Sequence, residues 1–282
     1  MFGSTVLDLA IGLIFAFLIV SLVTSAVTET LASALSWRAN TLLQGIKDLL
    51  NDQQFTGLAL SLYNHGLVNS QGNGAASTEA NLDTKPSYID PQQFASALMD
   101  VAGLAAGANV QALQAKINAT VPDPQLNTVL NGIVARAGGD LDRVRTDIAA
   151  WFNNAMDRVS GVYKRKTQFW SLIIALILVI ALNVDTVRIA QALWDQPMLV
   201  KNLPPATANE TAQQALDQLQ SLGLPFGWDK EAATYFLSGP GWLYAICGWL
   251  ITAVATLFGA PFWFDTLQRF VQLRGAGGQI GK

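Results

Sequence analysis

Residues Met156 to Arg188, MDRVSGVYKRKTQFWSLIIALILVIALNVDTVR, run an amphipathic segment straight into an uncharged apolar one, and few folds accept that order. Met156, Val159 and Tyr163 recur at helical spacing. Lys164, Arg165 and Lys166 follow, then Phe169 and Trp170, then an unbroken apolar run from Leu172 to Leu182 that closes on Asn183, Val184 and Asp185. Cations, interface-seeking aromatics and a lipid-compatible core come in the order that a helix needs to enter a bilayer from the cytoplasm. The stretch predicts one helix that leaves a water-exposed domain and crosses a membrane.

Two further stretches fit a bilayer. Leu9 to Thr28 carries no charge, and about 20 residues at 1.5 Å each give roughly the 30 Å of the hydrocarbon layer. Gly239 to Phe264 is also uncharged and long enough to cross with tilt. The run from Phe169 to Val184 reaches only about 24 Å, which places Asn183 and Asp185 at the outer edge, where a carboxylate costs less than at mid-membrane. The N-terminal run lacks a basic leader and a small-residue cleavage site, so it reads as a retained span. Cations set the orientation: Arg38, Lys47, Arg158 and the Lys164–Lys166 knot lie between spans one and two, and Arg269, Arg274 and Lys282 follow span three. Only Arg188, Lys201 and Lys230 lie between spans two and three, so the N-terminus is expected outside and the C-terminus in the cytoplasm.

With 51% hydrophobic and 13% charged residues and a mean hydropathy of +0.32, the chain is too apolar for an ordinary soluble protein and too polar for a membrane bundle alone. A net charge of -3 argues against nucleic acid as a partner. The single Cys247 excludes an internal disulfide and a thiolate cluster, and the single His65 argues against a histidine-rich metal centre. Between residues 28 and 168 twelve acidic side chains nearly balance eleven basic ones, so this part does not seek anionic ligands.

That part reads as helices with short breaks. The first span is expected to continue unbroken to Leu50, and Phe55 to Leu67 to form a helix. Asn69 to Lys85, rich in Gly, Ser and Asn, is expected to be a mobile loop. Asp90-Pro91, Asn109, Asp123-Pro124 and Asp140 open helices, and Gly138-Gly139 ends one. Beyond span two, Thr186 to Trp194 and Thr207 to Leu222 read as helices, and Asn209-Glu-Thr211 matches a glycosylation tripeptide that chance explains better. Gly259-Ala-Pro261 breaks span three, and the following PFWFDTLQRFVQLR suits an in-plane interfacial helix with a loose glycine-rich tail.

Ser21, Ser25 and Glu29 form an i, i+4 row on span one, with Thr24 and Thr28 beside it. Such a row serves as a packing face within the chain, or as a self-association or pore-lining face. Asn183 and Asp185 are candidates for ion or proton handling, set against capping of the next helix or pairing with Arg188 at i, i+3. His65 reads as a helix-end residue and Cys247 as a packing residue. No phosphate loop, nucleophile elbow or zinc-protease motif occurs, so no catalytic or cofactor residue is named.

The segments SL..SAV.E.L.....WRA..L..GI..LL, PSYIDPQQFASALMD, WF..AMDRVSG.YKRKTQ, ALNVDT.RIA..LW and ITA.A..FGAPFWFD together resemble a broad group of bacterial integral membrane proteins without an assigned activity. The resemblance implies a bacterial inner-membrane location and no catalytic residue. The expected architecture is all-α: membrane helices at 1–28, 169–187 and 241–264, a cytoplasmic helical domain at 29–168, a small outer helical cap at 188–240 and an interfacial tail at 265–282. The expected function is a non-enzymatic membrane anchor or scaffold, partnered by lipid, by further copies of itself and by an unidentified protein. A subunit of an oligomeric ion channel or transport assembly is the alternative.

Overall fold

The computed structural model describes residues 2–104, 109–202, 211, 214, 217 and 223–277, with backbone alone at 2–4, 201, 202 and 274–277. The helix expected over Thr207–Leu222, the Asn209–Thr211 tripeptide and the end of the glycine-rich tail lie wholly or largely outside these residues. Every regular element among them is helical: α1 (Phe2–Ala34), α2 (Trp37–Leu49), α3 (Leu58–Tyr63), α4 (Pro91–Val101), α5 (Val110–Thr120), α6 (Pro124–Ala137), α7 (Leu141–Ala181), α8 (Thr186–Asp195), α9 (Lys230–Leu237), α10 (Gly241–Thr256) and α11 (Ala260–Gly277). Two compact units form, one from Ala32–Arg165 and one from Met1–Leu31 with Lys166–Lys282. The sequence had placed the divisions after Thr28 and Gln168.

In the Ala32–Arg165 unit, helix starts follow local chemistry. The carboxylates of Asp90, Asp123 and Asp140 and the amide of Asn109 accept hydrogen bonds from backbone N–H groups two or three residues on, which the first turn would otherwise leave unpaired. Gly138, at φ 63°, ends α6 as expected. Two expectations fail. The helix beginning in span one breaks at Ser36, whose φ of 50° is left-handed, and Asn40 then donates to the freed Leu35 carbonyl at 3.2 Å. The predicted 55–67 helix shrinks to α3, because Phe55 takes a φ of 53° and Asp52 accepts from the N–H groups of Thr56, Gly57 and Ala59 instead. The buried core runs through Leu43, Ile46, Leu62, Leu98, Ile117, Leu130, Ile133 and Ile148, each worth about 1.5–3 kcal/mol on full burial. At its centre Phe94 and Phe152 stack with ring centroids 3.9 Å apart.

The 69–85 segment is not loose. Asn64 exchanges two hydrogen bonds with the Ala76 backbone at 2.8 and 3.0 Å, and Asn69 exchanges two with Thr84 at 3.0 and 2.8 Å. The composition that suggested mobility instead supplies side chains that substitute for backbone partners. His65 accepts from the Leu67 N–H and lies 3.5 Å from Asp100 of α4, so it ties a helix end to a neighbouring helix.

Glu79 in this segment bridges Lys47 at 2.9 Å and Lys85 at 3.5 Å. The hydrogen bond from Lys47, with the charges of both lysines, holds its carboxyl below the ordinary 4.5. A carboxyl lowered by folding stabilises above its unfolded value and loses that contribution as pH falls through the folded one. The stability gap between the native chain and Glu79→Gln is therefore expected to be small and constant near neutrality and to close below pH 4.5, read by denaturant unfolding. A gap that widened on acidification would contradict the bridge.

In the other unit, α1 is the inner helix. Phe15 to Val20 are all buried, and Ile11, Ile14 and Val23 extend that core, which Val179, Val184, Ile189, Leu193 and Trp249 share. Phe17 packs on Trp263 of α11 at 4.9 Å. The stretch Thr5–Ala34 is long and apolar enough to cross a membrane. The other two expected spans differ from straight rods: α7 turns by 51° into α8, and α9 by 112° into α10. α10 has 16 residues rather than the predicted 26 of Gly239–Phe264, because Gly259 (φ 81°) and Pro261, which lacks an amide proton, start α11. Of the large apolar side chains exposed among the described residues, all but Leu35, Leu67, Tyr88 and Val162 belong to this unit, concentrated on α10.

Candidate functional site

The break between α7 and α8 brings buried polar groups together inside the apolar unit. A helix that stops in such surroundings exposes carbonyls that need donors. Here three carbonyls of the last turn receive one. Leu178, Val179 and Ile180 accept from the Leu182, Val184 and Asn183 N–H groups at 2.8, 2.9 and 3.1 Å. Ile180 also accepts from Trp228 Nε1 at 2.8 Å, and Leu182 accepts from the Gly227 N–H at 2.9 Å. Asn183, in the left-handed region at φ 47°, donates through Nδ2 to the Gly227 carbonyl at 2.8 Å and accepts through Oδ1 from Trp249 Nε1 at 3.1 Å. Asparagine suits both tasks, since it tolerates that backbone state and carries a donor and an acceptor.

Asp185 is fully buried and opens α8: Oδ1 accepts from the Val187 and Arg188 N–H groups at 2.8 and 3.3 Å. The capping alternative is thus realised. Arg188 does not pair with it but lies over the Tyr235 ring, 5.6 Å from its centroid. Asp185 Oδ2 is buried and meets no donor among the described residues. α10 passes close because its residues here are small. A side chain on Gly248 would collide with the Asp185 carboxylate. Thr252 Oγ1 lies 2.9 Å from the Val184 and Gly248 carbonyls and 2.7 Å from Thr186 Oγ1.

The span-one row is divided. Ser21 is buried with its hydroxyl unpartnered among the described residues, as are Thr24 and Thr28. Ser25 is half-buried and Glu29 exposed. The structure therefore joins Asn183 and Asp185 in one break and turns Ser21 into the interior of its own unit. Gly227, Trp228, Gly248, Trp249 and Thr252 were missed from sequence; they lie 44 to 68 residues from their partners, and nothing local marks them. Among the described residues no three metal-ligating side chains come together. Comparison with protein-family models, with curated proteins and with solved structures finds no match.

Proposed function

We propose that the chain is a non-enzymatic anchor or scaffold of a bacterial inner membrane. In this reading the Met1–Leu31/Lys166–Lys282 unit sits among lipid acyl chains as a multi-pass body with its N-terminus outside and its C-terminus cytoplasmic, and the Ala32–Arg165 unit faces the cytoplasm. The reading rests on one observation: the exposed large apolar side chains crowd onto one unit, led by Leu243, Leu250, Ile251, Val254 and Phe258 near α10, while the other unit has a polar surface. In water such a patch would drive aggregation; in hydrocarbon it costs nothing. Self-association would use this outer face of α10, since Ser21 points inward.

Cys247, exposed on α10 and the sole thiol, tests the placement. In sealed or leaky vesicles it is expected to resist a charged maleimide and to react only after denaturation. Fast labelling in intact vesicles would overturn the membrane reading, and a strictly monomeric mass in lipid nanodiscs would overturn self-association.

The channel or transport reading is favoured by the buried Asp185 Oδ2 beside a broken helix, an arrangement that hosts ion sites in transporters. It expects Asp185→Asn to abolish ion flux in liposomes; unchanged flux would remove it.

A further inference from the structure

The Ala32–Arg165 unit contains a cleft of about 450 Å³, within the range of small-molecule sites. Three distant segments build it: the start of α2, residues 87–91, and one face of α7 from Phe152 to Tyr163. Those segments include the WRA, PSYIDP and AMDRVSG.Y stretches singled out in the sequence, and the anchor reading assigns them no ligand.

The floor is apolar and preformed. Phe152 is fully buried and held from beneath by its stack on Phe94, and Ile89 is buried just before the capped start of α4. Met156 and Val159, two of the apolar positions that recur at helical spacing, are only half-buried and line the cleft. The rim carries one charge of each sign on different helices: Arg38 on α2 and Asp157 on α7. Among the described residues neither has an ion-pair or hydrogen-bond partner, whereas Lys47, Lys85 and Arg145 all do. Tyr163 lines the α7 wall within two turns of Asp157.

We infer that this cleft binds a zwitterionic amphiphile the size of a dipeptide with apolar side chains. Arg38 takes its carboxylate, since a guanidinium matches that group in two parallel hydrogen bonds. Asp157 and the face of Tyr163 take its ammonium, a cation held by a carboxylate and an aromatic ring. Phe152, Met156 and Val159 cover its side chains. A single amino acid would leave much of the volume empty, and a purely apolar ligand would engage neither rim charge.

The full chain in nanodiscs is titrated calorimetrically with leucyl-phenylalanine, with its N-acetyl derivative, which lacks the ammonium, and with its C-terminal amide, which lacks the carboxylate. The free dipeptide is expected to bind at one saturable site, about tenfold more tightly than either derivative, because each rim contact is charge-assisted yet partly hydrated. Arg38→Gln is expected to erase the preference over the amide alone, and Asp157→Asn the preference over the N-acetyl form alone. Both side chains are exposed and unpaired, so thermal unfolding should not change, which separates lost binding from lost fold. No saturable binding, or binding indifferent to both substitutions, would overturn the assignment. Neither result bears on Cys247 labelling, so this inference and the membrane reading fail independently.

Discussion

Asn183→Ala is expected to destabilise the unit that contains α1 by about 4 kcal/mol, because three losses fall on one residue. The Gly227 carbonyl and the Trp249 indole N–H lose their partners, each a penalty of about 1–3 kcal/mol when buried. Alanine must also hold the left-handed φ of 47°, at about 1 kcal/mol. Asn183→Gly removes the same two hydrogen bonds but tolerates the backbone, so it should lie about 1 kcal/mol above the alanine variant. Thermal unfolding in detergent measures the series. If alanine and glycine variants matched the native chain within about 0.5 kcal/mol, the side chain would not hold the break and the network would lose its centre.

Phe152→Ala should remove about 4 kcal/mol from the other unit, in the range of buried aromatic truncations. The ring is fully buried, and its loss leaves Phe94 with an empty face where a ring now stacks at 3.9 Å. Hydrogen exchange is the direct reading: amides of α2, α4 and α6 should lose protection, since Leu43, Ile46, Leu98, Leu130 and Ile133 share that core. Phe152→Leu should cost less than half as much, because it keeps most of the volume. Protection unchanged in α4 and α6 would show that the stack is peripheral. The alanine variant should also enlarge the cleft floor and weaken dipeptide binding, an effect separable from the rim substitutions by its cost to stability.

The site was legible in part. Asn183 and Asp185 stand out in the sequence because polar residues at the end of an apolar run need partners in that setting. The role of Asp185 as a cap was also readable, since the N–H groups it serves are two and three residues away. What Asn183 does was not, because its partners Gly227 and Trp249 lie 44 and 66 residues on. The division of the Ser21 row was hidden for a different reason. α1 is apolar around most of its circumference and its small polar row suits a buried or an exposed face, so only the packing of neighbours turns Ser21 inward and leaves Glu29 exposed.

Local chemistry alone determined that the chain is helical, where α4, α5, α6, α7 and α8 begin, and that one N-terminal helix suits a membrane. These depend on side chains and backbone groups within a few residues of each other, or on composition, and need no partner elsewhere. Tertiary structure decided that the 69–85 segment is clamped and that α7 can stop where it does. Each of those outcomes satisfies a backbone carbonyl or amide with a group brought from outside its own turn, and a hydrogen bond across such a distance in sequence exists only once the chain has folded.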